Sequence, residues 1–129
     1  MSGGITLKPA HFPGRAPIDA YGAGGFRFAD MSHRGSILCL PSGVYEWAPK
    51  DPAKLTFDDF SKLIAESDDF DVLLVGMGPE IRPLPKTLRE ALKAKGVVAD
   101  PMSTGAAVRT YNVLLAEERR VAAALIVVD

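Results

Sequence analysis

The spacing of apolar residues changes near the middle of the chain. In the first half the apolar groups are short and alternate with polar ones. "IDAYGAGGFRFAD" places Phe26 and Phe28 on one side and Arg27 on the other, the period of two of a half-exposed strand, and reads as two short strands. "RGSILCLPSG" follows with a continuously apolar centre, Ile37 to Leu40. "GVYEWAP" predicts a further strand, with Val44 and Glu46 on one face and Tyr45 and Trp47 on the other. From residue 56 the period lengthens. Thr56 caps a predicted helix to about Glu66, with Phe57, Phe60 and Ile64 on one face. "DVLLVG" is an all-apolar strand of the kind covered on both sides. "PKTLREALKAKG" turns Leu88, Ala91 and Leu92 inward, and Gly96 suits a left-handed stop. "VVAD" is a second short strand. A buried helix begins at Ser103 or Thr104, and "VAAALIVVD" is a last strand, central by its apolarity.

Strand, helix, strand, helix, strand in about 60 residues is the pattern of an α/β sheet. The first crossover, residues 71–99, is expected to be right-handed. The final strand can run either way, because the short "EERR" link permits a tight return. At 129 residues the chain suits one domain. The Gly- and Pro-rich residues 1–17 are expected to be an irregular segment ahead of a single domain over 18–129.

Composition narrows the classes. The chain is 47% hydrophobic and 24% charged with a net charge of -1, which suits a globular protein. No basic stripe interleaved with aromatics stands out, so nucleic-acid binding is disfavoured. The single cysteine, Cys39, lies inside an apolar run and reads as a buried, inert thiol; it fits a reducing compartment. The N-terminal residues lack the apolar stretch of a secretory signal, and no run approaches the ~20 residues of a membrane span. The expectation is a cytoplasmic protein without an integral membrane segment.

Four stretches are candidates for chemistry. Gly76, Met77 and Gly78 follow a strand where α/β sheets bind ligands, and their backbone N–H groups are a possible anion cradle. They match neither a dinucleotide fingerprint nor a phosphate loop, so the competing reading is a sharp turn. "YGAGGFRF" fails the same fingerprint and reads as a turn. Arg109 and Asn112 are three apart and share a face of the last helix. An Arg there needs a carboxylate or a bound anion, and Asn112 is placed to orient it or to satisfy loop backbone. Arg119 and Arg120, in "EERR", either lie in a surface turn or one of them reaches back to the glycine loop. The residues give no catalytic set, no metal ligands and no cofactor motif. His33 and Asp30 are close enough to pair, and Asp68, Asp69 and Asp71 read as a solvated loop.

"GSILCLPSGVYEWAP", "LLVGMGPEIRPLP" and above all "DPMSTGAAVRTYNVLLAEERRVAAALI" resemble the Mth-type domain family, a former domain of unknown function, from about Ile18 onward. The family's usual G-T-G turn reads Gly76-Met77-Gly78 here. Its relatives include a mitochondrial complex I assembly factor and an adipogenesis-associated protein. The resemblance implies a three-layer α/β domain with a mixed central sheet and a closing strand antiparallel to its neighbours. It also implies a non-enzymatic role, as an interaction or assembly factor for a respiratory or other membrane-associated complex, peripheral to the inner membrane through its partner. On that reading Tyr45 and Trp47, with the pair Phe26 and Phe28, are the candidates for an exposed partner-binding patch. The alternative is a small-molecule or anion binder, or a weak enzyme, with its pocket walled by Gly76, Met77, Gly78, Arg109 and Asn112 and closed by Arg119.

Overall fold

The computed structural model describes residues 11–129. Among them, strands β1 (His11–Pro13), β5 (Ser36–Leu40), β6 (Gly43–Trp47), β7 (Val72–Gly76), β8 (Ala99–Met102) and β9 (Val121–Leu125) form a mixed sheet in the order β1-β6-β5-β9-β7-β8. Strands β2 (Ala20–Gly22), β3 (Gly25–Phe28) and β4 (Met31–Arg34) form a small antiparallel sheet. Helices α1 (Ser61–Ile64) and α2 (Lys86–Ala94) cover one face of the large sheet. Helix α3 (Thr104–Ala116) and the small sheet cover the other. This is the three-layer α/β domain with a mixed central sheet that the resemblance implied.

The two cores follow from alternation along the strands. Leu38, Leu40, Trp47, Leu73 and Val75 face α1 and α2, where Phe60, Leu63, Leu88 and Leu92 meet them. Ile37, Cys39, Val44 and Leu74 face α3, where Ala107, Val108 and Tyr111 pack with Phe26 and Phe28 of the small sheet. Arg27 points outward between those two phenylalanines, as the period of two requires. β9 carries Ala122–Ala124 in the middle of the sheet, fully buried, and these small residues let the layers on both faces approach closely.

Four expectations change. Residues 1–10 of the irregular segment lie outside the described residues, but His11–Pro13 pair with β6 as an edge strand. Beyond it, Ala16 is already buried. The helix over 56–66 begins as a 3₁₀ turn, Phe57–Phe60, before the short α1. The tighter turn rotates the buried face onto Phe60 and Leu63, and leaves Phe57 at the rim and Ile64 half-buried. The closing strand is antiparallel to β5 but parallel to β7, so only one neighbour fits the implied orientation.

The reason for that parallel pairing lies in the link before β9. The N–H of Glu118 donates to Leu115 and that of Arg119 to Leu114, with Glu118 in the left-handed region at φ 59°. This pair of bonds is the Schellman stop. "EERR" therefore ends α3 at the amino edge of the sheet, where Val121 pairs beside Val72 and the chain starts forward again. Gly96, at φ 81°, stops α2 in the same way as expected, with Val97 N–H on Leu92 and Gly96 N–H on Lys93.

Candidate functional site

The glycine loop leaves the carboxyl edge of β7, and its backbone groups are already occupied. Met77 N–H donates to the Met102 carbonyl at 2.8 Å. Gly78 N–H donates to the Thr104 hydroxyl at 3.0 Å, and the Gly78 carbonyl accepts from Thr104 N–H at 2.8 Å. The Gly76 carbonyl accepts from Ile126 N–H. Thr104 completes the arrangement by donating its hydroxyl proton to the Ile126 carbonyl at 2.6 Å. One buried threonine at the start of α3 thus ties β7, the loop and the end of β9 together. Gly76 is glycine because a Cβ there would stand 2.9 Å from the Thr104 Cα and 3.1 Å from a Leu125 methyl. Met77 is buried in the core facing α2. The loop is a clasp, and it presents no free row of N–H groups to an anion.

Asn112 is a second clasp. Its side-chain oxygen accepts from Ile18 N–H and its amide nitrogen donates to the Ile18 carbonyl, both at 2.8 Å. The carboxamide imitates a strand partner for the segment entering β2.

Arg109 points away from the core. It is exposed, and it pairs with none of the described carboxylates. Residues 1–10 contain no Asp or Glu. Its guanidinium folds back along α3 toward Gly105, over which the Tyr21 hydroxyl also packs. The outward stripe of α3 is Arg109, Val113 and Ala116, and Val113 is 57% exposed.

Arg119 sits at the other edge of the sheet. It precedes Val121, which pairs with Val72, whereas the glycine loop follows Gly76, which pairs with Leu125. Four residue steps of strand lie between the two levels and the loop begins a step beyond, which puts roughly 16 Å between them. Arg119 therefore does not close over Gly76–Gly78. Its carbonyl instead accepts from the Arg15 guanidinium at 3.0 Å. Next to it, Arg120 pairs with Asp71 at 3.2 Å and donates to the Asp68 carbonyl. The six residues of the expected pocket thus fall into a buried loop, a backbone clasp, an outward stripe and a distant turn.

The aromatic pair divides in the same manner. Trp47 is 5% exposed, stands edge-on to Phe60 and donates its indole N–H to the Asp59 carbonyl at 2.7 Å. It is core, as are Phe26 and Phe28, and the expected exposed patch loses all three. Tyr45 is half-buried at the hub of a surface network. Its ring stacks on His11, Lys62 sits 4.0 Å from its centroid, and its hydroxyl lies 2.6 Å from the Ser42 hydroxyl, which donates to Glu66. Sequence pattern gave no hint of this network, because its members come from three separate elements.

Among the described residues, two groups have displaced acidities. Burial pushes the Cys39 thiol well up, which keeps it neutral. Burial, then the nearby Cys39, push the Tyr111 phenol up, and Arg15 opposes weakly. Both side chains are buried in the core facing α3, which fits packing.

The family model described as "Protein of unknown function (DUF498/DUF598)" matches residues 18–126. An uncharacterized protein of Rhodobacter capsulatus is 48% identical over 115 residues, 89% of this chain and 87% of that protein. The mouse NADH dehydrogenase [ubiquinone] 1 alpha subcomplex assembly factor 3 is 28% identical over 122 residues, 95% of this chain and 66% of that protein. The chain thus spans just under two thirds of this assembly factor's length. A crystal structure described as an outer membrane protein from Bartonella henselae superposes with a TM-score of 0.87 at 60% identity, covering 92% of this chain and all of that one. A solution structure of a Bordetella pertussis protein, a Mth938-like domain, gives 0.75 at 30% identity, covering 86% and 85%. Among the described residues, no helix is long and apolar enough to cross a membrane.

Proposed function

The chain belongs to the DUF498/DUF598 family, and from that membership we propose that it is a non-enzymatic factor in the assembly of a respiratory, membrane-associated complex. The observation that carries this reading is the similarity, across 95% of the chain, to a protein named as a complex I assembly factor. The spent hydrogen bonds of the glycine loop and of Asn112 support it, since the polar groups that a catalytic reading would need are fasteners. The proposed working place is the cytoplasmic side of the inner membrane, reached through the partner.

The partner contact in this reading is the outward stripe of α3. Val113 stands open in the middle of a long helix, flanked by Arg109 and Ala116, while the helix's other faces are packed. An apolar centre beside an unpaired guanidinium is the composition of an interface core with a polar rim. Trp47 is left out because its ring is core, and Tyr45 because its ring and hydroxyl are engaged.

Affinity co-purification from the native host tests this, with quantitative mass spectrometry, a tag-only control and the Val113→Glu variant. The expected result is enrichment of respiratory-complex subunits with the wild type and about tenfold less with the variant, since truncating or charging a hot spot costs 1.4 kcal/mol or more. Equal recovery from the tag-only control would contradict the proposal.

A further inference from the structure

The outward face of the small sheet carries a hollow that the clasps and the α3 stripe do not explain. Cross-strand register fixes its make-up. Tyr21, Phe26 and His33 stand opposite one another on the face toward α3, whereas Ala20, Arg27 and Ser32 face away, as do Gly22, Gly25 and Arg34. Four of those six outward positions hold nothing larger than serine. The sheet's floor is therefore bare, and a cavity of about 310 Å³ opens over it, within the range of small-molecule sites.

Strand geometry keeps the floor bare. A Cβ on Gly25 would run into the His33 carbonyl, and Gly22 adopts φ 119°, which L side chains avoid. The neighbouring turn is pinned from outside, because Gly24 N–H donates to the Val128 carbonyl at 2.9 Å.

Arg27 and Arg34 stand on this floor at diagonal positions of β3 and β4, where Cα atoms lie roughly 7–8 Å apart. Both are exposed, neither pairs with a described carboxylate, and none of the described residues lining the cavity is acidic. Two like charges on diagonal positions of one exposed face repel weakly through water, and an anion between them is attracted by both. Guanidinium forks match the paired oxygens of carboxylate and phosphate.

We propose that this hollow binds a small organic anion. Its phosphate or carboxylate group lies between Arg27 and Arg34 with the Ser32 hydroxyl as a further donor. Its compact apolar remainder rests on Ala20, Gly22 and Gly25. The site is independent of the α3 stripe and of the assembly reading.

The test is an amide-resolved NMR titration of the full chain with inorganic phosphate and with phenyl phosphate. The expected result is saturable shifts confined to the amides of β2, β3 and β4, with phenyl phosphate binding more tightly. Arg27→Gln with Arg34→Gln should weaken both probes about tenfold or more, because it removes both charged forks. Ala20→Leu, which keeps both charges and fills the floor, should weaken phenyl phosphate more than phosphate. Arg82→Gln, on the proline-rich loop after β7, should change neither. Unsaturable or scattered shifts, or equal affinity in the double variant, would overturn the proposal. Binding to phosphatidylglycerol vesicles without saturation by either soluble probe would overturn it too, since the partner would then be a membrane surface.

Discussion

Thr104 is fully buried, and its hydroxyl serves two elements at once, accepting from Gly78 and donating to Ile126. Thr104→Val keeps the shape and strands both backbone groups. The expected loss is about 1–3 kcal/mol for each stranded group in denaturant unfolding, with Thr104→Ser recovering most of it. Asn112 acts similarly on Ile18. Both side chains hold the chain's own backbone. Cys39 and Tyr111 add a pH dependence. Both are raised by burial, so the fold favours their neutral forms. That contribution is complete below the usual thiol value of about 8.5 and shrinks as pH rises past it, with the phenol joining above about 10. Stability should therefore fall on the alkaline side, and Cys39→Ala should move the onset upward by about a pH unit or more. Unfolding midpoints from pH 7 to 11 would show it; an unchanged profile in the variant would count against a buried thiol.

At the scale of elements, most strands are legible because their period of two survives into the structure, whereas β1 and β4 carry no such signal. Phe26, Arg27 and Phe28 alternate as read, and Val44 and Trp47 fall on opposite faces. Both helix stops were marked by left-handed residues, but only Gly96 carried a visible signal. Glu118 takes the same conformation with a Cβ, so "EERR" read as a charged turn. Glu118→Gly should stabilise the chain by about 1 kcal/mol in thermal or denaturant unfolding, by relieving the left-handed cost. The helix over 56–66 was misjudged because local spacing does not distinguish a 3₁₀ start from an α start. Trp47 was misjudged because alternation tells which face a side chain takes, not what covers that face. Here Phe60 and the 3₁₀ turn cover it. Trp47→Ala should cost about 3–5 kcal/mol and lower the melting temperature, as core aromatics do. Retained stability with lost partner binding would restore it as a surface residue.

For the whole molecule, the three-layer order could be expected from the motif resemblance, but the placement of the candidate residues could not. Arg109, Asn112 and Arg119 lie within eleven positions of one another in sequence. They serve an open face, a backbone clasp and the opposite sheet edge. A helix of 13 residues spans the sheet, so residues close in the chain reach both of its ends. The diagonal placing of Arg27 and Arg34 on one face is equally hidden, since it arises only from cross-strand register. The loop after β7 and the segment entering β2 are fastened internally, and the α3 stripe lies exposed. The proposed assembly role is tested by deleting the gene in the native host and measuring fully assembled complex I on native gels. The expected result is loss of the mature complex with accumulated subcomplexes, restored by the wild type and not by Val113→Glu. Normal amounts of mature complex in the deletion strain would contradict it.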